Sequence, residues 1–228
     1  MPGATPLPAL LPVFPLTGTL LLPGNLLPLN IFEPRYRNLV ADALAEGNHV
    51  GMIQPVVPRL DNFGALLDPT EVERAPELYH VGCAGRIERS EKQPDGRYEI
   101  VLRGICRFHL REELAEKRGY RQVAADYRGF ERDLTEPQVV VDPGPMLSAL
   151  RGFGAKHGLE LDFDLLGALP GIALLNGLAV ALPFRPEEKQ ALLEAGGPME
   201  REQLLLTLMG MGLEPMSAEE YFAPPTVH

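Results

Sequence analysis

The apolar residues of this chain change their spacing once, and that change limits the folds open to it. Up to about residue 130 they recur mostly at a period near two, the repeat of strands, with one helical interruption. Beyond Asp142-Pro143-Gly144-Pro145 they recur at three and four, the repeat of helices. Strands grouped ahead of helices predict an α+β chain in two segregated parts, a β-rich one with a single helix over 1–132 and an α-helical one over 143–228. A length of 228 residues, 45% of them hydrophobic, admits one large domain or two small ones packed together.

Within the first part, 10–16 and 26–32 are short apolar runs separated by Pro23-Gly24-Asn25, and both read as strands whose prolines favour edges or ends. Tyr36, Leu39, Val40, Ala43 and Leu44 form a helical stripe after Glu33-Pro34, with Gly47 as its C-cap. Residues 49–57 return to extended structure, and 58–77 are polar and proline-punctuated, as a long loop would be. The apolar alternation of 79–89 and 97–110 about Asp95-Gly96 predicts a hairpin, Asp-Gly supplying positive φ at a tight turn. In it Tyr98, Ile100 and Leu102 face inward and Arg97, Glu99 and Arg103 face solvent. Residues 120–130 add a strand. Helices are predicted at about 145–157, 164–181, 186–195 and 199–212. Asp162 or Asp164 caps the second, Pro186 with Glu187 and Glu188 starts the third, and 218–228 are expected to fray.

Charge and composition exclude several functions. A formal net charge of −10 repels phosphate backbones, which argues against nucleic acid as a partner. The first residues carry Pro2, Pro6, Pro8 and Pro12 and no basic region, unlike a signal peptide. The longest apolar stretch, 165–184, is broken by Pro170, Asn176 and Pro183, so no membrane span is expected and the reading is cytoplasmic. Two cysteines, Cys83 and Cys106, are too few for a disulfide scaffold and read as core thiols.

Several motifs carry a family resemblance. The run Leu11-Pro12-Val13-Phe14-Pro15-Leu16, then Leu22-Pro23-Gly24, then Leu27-Pro28-Leu29-Asn30-Ile31-Phe32-Glu33-Pro34-Arg35-Tyr36 is followed by Val81-Gly82-Cys83-Ala84-Gly85-Arg86-Ile87, Asp95-Gly96-Arg97-Tyr98 and Gly104-Ile105-Cys106-Arg107-Phe108. In order and rough spacing this resembles the Lon N-terminal domain family, and residues 178–183 and 188–194 extend the resemblance into the helical part. The resemblance implies a small, curved, β-barrel-like subdomain of the PUA-like kind followed by a helical bundle, in a module that recognises exposed polypeptide. In Lon proteases that module precedes an ATPase and a serine-lysine peptidase. No Gly-x-x-x-x-Gly-Lys-Ser/Thr occurs here, and none of Lys92, Lys117, Lys156 and Lys189 follows a glycine-rich loop. The sequence stops where the ATPase would begin, so a free-standing, non-catalytic copy without a cofactor is expected. Its partners would be unfolded or extended polypeptide segments, or a specific protein. The alternatives are a small hydrolase with an unrecognised site, and an RNA binder suggested by PUA-like analogy.

Candidate sites are few. His80-x-x-Cys83 and Cys106-x-x-His109 have zinc-ligand residue types, but residues three apart on a regular strand face opposite ways, so no metal is expected. Ser90, Ser148 and Ser217 lack a nucleophile-elbow setting, and both cysteines sit in apolar runs that would raise their pKa. For binding, Leu20, Leu21 and Leu22 in the first loop and Phe63, Leu66 and Leu67 in the long loop are either an exposed patch for polypeptide or anchors onto the barrel. Glu33-Pro34-Arg35-Tyr36 reads as a strand-to-helix joint, with Arg35 as the groove-wall alternative. Leu204, Leu205, Leu206, Leu208, Met209 and Met211 read as bundle core or as a homodimer seam.

Overall fold

The computed structural model describes residues 7–56, 76–135 and 139–211. Among them the chain divides into two compact units. The first takes residues up to Thr17 and from Leu21 to Leu134; the second takes Gly18–Leu20 and everything from Thr135 on.

The first unit contains β1 (Leu10–Pro15), β2 (Leu26–Ile31), α1 (Pro34–Ala45), β3 (His49–Ile53), β4 (Val81–Lys92), β5 (Tyr98–Lys117) and β6 (Tyr120–Asp126). Their order is β2-β5-β4-β3-β1-β6, and β5 also pairs with β6, so five strands close into a ring while β2 is added to β5. Only the β1–β3 pairing is parallel. Closure depends on the 20-residue length of β5, which meets β2 through 98–103 and β6 through 109–117. Register shifts at Ala84/Gly85, Ile87/Arg89 and Leu110/Glu112 bend the strands, as bulges do in small barrels. The expected curved barrel is therefore present.

The barrel is filled by Leu11, Val13, Ile53, Leu78, Ala84, Phe108 and Val123. Phe108 fits only because Gly82 lacks a side chain: a Cβ there would lie 2.6 Å from the Phe108 ring. In α1 the buried residues are Tyr36, Leu39, Val40 and Ala43, as the spacing predicts, while Leu44 is exposed. The helix ends in a Schellman arrangement, with Gly47 at φ +108° and the Asn48 N–H donating to the Ala43 carbonyl at 2.7 Å.

Three local expectations need correction. The β4–β5 turn is not a two-residue turn with both central φ positive. The Gly96 N–H donates to the Gln93 carbonyl around Pro94-Asp95, and Gly96 alone takes positive φ, +86°. Proline at the second position of that turn favours this form. Second, β5 runs on to Lys117 and returns through Arg118-Gly119, with φ +52° and +84°. Third, of the two settings expected for the prolines, edge or strand end, β1 keeps only the strand end, at Pro15. The strand lies between β6 and β3, but 10–12 pair with one and 13–15 with the other, so each proline meets a single neighbour.

The second unit contains α2 (Pro143–His157), α3 (Phe163–Gly167), α4 (Gly171–Ala181), α5 (Pro186–Glu194) and α6 (Pro198–Met211). The single helix expected over 164–181 is two, because Pro170 has no N–H to continue the first. Asp162, rather than Asp164, caps α3 by accepting from the Asp164 and Leu165 N–H groups. The Arg185 N–H donates to Glu188 at 2.9 Å at the start of α5. Buried cations tie these helices together. Arg201 donates to the Leu192 carbonyl at 2.9 Å and to Asn176 Oδ1 at 3.1 Å, and Lys189 donates to the Val180 carbonyl at 2.9 Å. On α6, Leu205, Leu208 and Met209 are buried, Leu204 and Leu206 half-buried, and Met211 exposed. Among the described residues no helix is long and apolar enough to cross a membrane.

Candidate functional site

The first-loop leucines are not an exposed patch: Leu20, Leu21 and Leu22 are all buried, at 2% exposure or less. Two glycines of the barrel explain how Leu21 and Leu22 are held. A Cβ on Gly104 would lie 2.1 Å from the Leu22 carbonyl oxygen, and one on Gly85 would lie 2.9 Å from Leu21 Cδ2. Backbone bonds hold the segment there, the Gly24 N–H donating to the Gly104 carbonyl and the Gly104 N–H to the Asn25 carbonyl, each at 2.9 Å. Phe63, Leu66 and Leu67 lie outside the described residues. Arg35 is half-buried at the strand-to-helix joint, where its Nε meets Glu33 at 2.8 Å and its guanidinium lies 4.6 Å from the Tyr36 ring centre.

The cysteine and histidine quartet is split by burial. Cys83 and Cys106 are inside, whereas His80 and His109 are exposed, and the His109 ring stacks on Phe130 at 4.6 Å. Burial raises both thiols, Cys106 to about 12, which leaves neither as a ready thiolate. Among the described residues no three His, Cys, Asp or Glu side chains gather where a metal ion would sit.

Among the described residues strand β2 is an exposed feature of this unit. Leu27, Leu29 and Ile31 lie opposite buried Leu102, Ile100 and Tyr98 of β5, while Leu26, Pro28 and Asn30 face outward. Leu26 is 50% exposed and Phe32, just past the strand end, 64%. Among the described residues β2 pairs with β5 alone, so its other edge carries no ladder. The bond from Gly104 to the Asn25 carbonyl fixes the alternation. The Asn25 carbonyl and the backbone groups of Leu27, Leu29 and Ile31 aim at β5, and Leu26, Pro28 and Asn30 aim theirs at the free side. Pro28 thus stands where proline is tolerated in a sheet.

Beside this edge a groove of about 390 Å³ runs over the outer face of β2, β5 and β4. Pro28 and Val101 give it an apolar floor, and Asn30, Arg89, Glu91 and Glu99 line its rim. Glu91 of β4 stands directly opposite Glu99 of β5. Sequence reasoning did not single out this set. Pro28 and solvent-facing Glu99 were its visible signals, but the pairing of Glu91 with Glu99 depends on the bulge at Glu88, which the residue pattern does not reveal.

Six of the described surface arginines stand against carboxylates. Arg89, Arg97, Arg111, Arg118 and Arg128 each meet a carboxylate within 3.6 Å, and Arg103 is paired with Glu88.

The same layout occurs in known proteins. A solved Lon N-terminal domain protein from Xanthomonas campestris is 25% identical, superposes with a TM-score of 0.55, and shares 87% of this chain and 97% of its own. The N-terminal domain of Mycobacterium avium complex Lon protease, 19% identical with a TM-score of 0.54, has the same fold. Among sequences, Lon protease of Flavobacterium johnsoniae is 24% identical over 91% of this chain, and Lon protease 2 of Myxococcus xanthus 28% identical over 89%. The chain spans about a quarter of the length of these curated relatives. The family model of the ATP-dependent protease La (LON) substrate-binding domain matches residues 10–141, which takes in the whole barrel. The chain belongs to the LON substrate-binding domain family.

Proposed function

We propose that this chain is a polypeptide-binding module that acts by contact and not by chemistry, as an adaptor or accessory factor in protein quality control. The observation that carries this reading is the free edge of β2, with exposed Leu26 and Phe32 beside it. An unpaired edge with apolar neighbours suits extended, unfolded chain, which brings its own backbone groups and apolar side chains. The family's description as a substrate-binding domain agrees with this use. Buried thiols with raised pKa lend no support to a hydrolase, and the arginine–carboxylate pairs and net charge of −10 lend none to RNA binding.

The test is capture of a reduced, permanently unfolded model polypeptide against the same polypeptide folded, with an RNA control and a salt series. Selective binding of the unfolded form is expected. Leu26→Asp and Phe32→Asp should each weaken it about tenfold, the loss of one apolar contact, while leaving the fold intact because both side chains are exposed. Absence of binding to the unfolded polypeptide sinks the reading, and salt-sensitive retention of RNA replaces it.

A further inference from the structure

The outer side of β2 breaks two rules that a sheet edge ordinarily keeps. First, it is blunted but not closed. Pro28 withholds an N–H from the free side, yet Leu26 and Asn30 still present theirs, and all three residues present carbonyl oxygens. Second, Glu99 faces Glu91 across β4–β5 and Asn30 across β2–β5. Like charges directly opposite destabilise a sheet. Arg89 relieves the pair only loosely, at 3.6 Å from Glu91 with both side chains more than half exposed. Among the described residues Glu99 forms no ion pair. Among the described residues Arg89 is the one cation within ion-pair distance of either carboxylate.

From this geometry we infer that β2 accepts a partner peptide as an added strand, and that the peptide alternates apolar residues with lysine or arginine. Its apolar side chains cover the open flanks of half-buried Leu27 and Leu29. Its cations lie on the other face, over Asn30 and toward Glu99 and Glu91, with Leu26 against their methylene stems. Adjacent strands are ~4.8 Å apart, so the added strand sits ~10 Å from β5, within the combined reach of a lysine and a glutamate side chain. A second copy of β2 fits less well, because it brings Pro28 and Asn30 and no cation. An acidic peptide meets the carboxylate pair and the chain's overall negative charge. This inference names the ligand class of the polypeptide-binding reading and rests on it.

The probe is a fluorescent peptide alternating valine with lysine. Its controls are the same peptide with glutamate for lysine, and the lysine peptide with N-methylated backbone amides. Anisotropy titration should show the lysine peptide bound about tenfold tighter than the glutamate peptide, and the N-methylated one not bound. Glu99→Lys, at an exposed position opposite Glu91, should reverse the charge preference and raise thermal melting slightly, and Asn30→Pro should weaken binding by removing a free-side donor. Equal binding of the lysine and glutamate peptides, or indifference to both Glu99→Lys and N-methylation, overturns the inference. If the unfolded model polypeptide is still captured in that case, the general binding reading survives without it. If the lysine peptide binds as described while the unfolded polypeptide is ignored, the inference stands and the general reading falls.

Discussion

Lys189 shows how one buried charge sets a pH dependence. Its amine is buried at the Val180 carbonyl, and burial lowers its pKa from 10.5 to about 8. Between those two values the unfolded chain holds the proton more tightly than the folded one, so stability rises as pH climbs through the window. Below about 8 the desolvated charge is carried at a cost. Stability should therefore rise from pH ~8 to ~10 by about 2 kcal/mol, which thermal melting reads as an upward shift, and Lys189→Met should flatten that rise. At Gly104 the constraint is steric. An added methyl meets the Leu22 carbonyl at 2.1 Å, so Gly104→Ala should cost about 2–3 kcal/mol in urea unfolding, whereas Gly129→Ala, with open space around it but φ +90°, should show only backbone strain.

Among the elements, the short 3-10 turn at Glu131–Leu134 is fixed to β5 by one ion pair. Arg107 donates to Asp133 from Nε at 2.8 Å, from Nη2 at 2.9 Å and from its backbone N–H at 3.0 Å, and both side chains are at most 10% exposed. Asp133→Ala removes the carboxylate that accepts from the buried Arg107 at three points, and a loss of about 3–5 kcal/mol in chemical denaturation is expected. The alternation along β2 is open to hydrogen exchange. Leu27, Leu29 and Ile31 donate into the ladder and should be protected, while Leu26 and Asn30 should exchange fast until a strand-forming peptide is added. Protection of Leu26 and Asn30 in the unliganded protein would mean that the edge is already occupied. The hairpin of β5 and β6 is clasped to α1 in another way. The Tyr120 hydroxyl donates to Asp42 at 2.7 Å and Arg118 to the same carboxylate at 2.5 Å, which holds the Asp42 carboxyl below its usual range.

Over the whole molecule, what could be read from the chain was whatever local spacing alone decides. The α1 stripe, its Gly47 stop, the inward Tyr98, Ile100 and Leu102, and the α+β order all follow from residues near one another in sequence. What escaped depends on distant partners. Leu21 and Leu22 look alike whether exposed or anchored, and Gly85 and Gly104, far along the chain, decide between the two. Pro170 was visible in the sequence, but the apolar run on both sides of it concealed that α3 and α4 are separate. Glu91 meets Glu99 only after a bulge resets the register. The same dependence governs the order in which the ring can be completed. β4, β5 and β6 are successive hairpins and can pair as they are made, but β1 needs β6, which is translated about a hundred residues later. At ~5–20 residues per second, β1 waits on the order of ten seconds after its own synthesis before that neighbour exists. Throughout that interval Pro12 and Pro15 deprive it of two amide donors, and so make an apolar segment a poor template for nascent chains nearby.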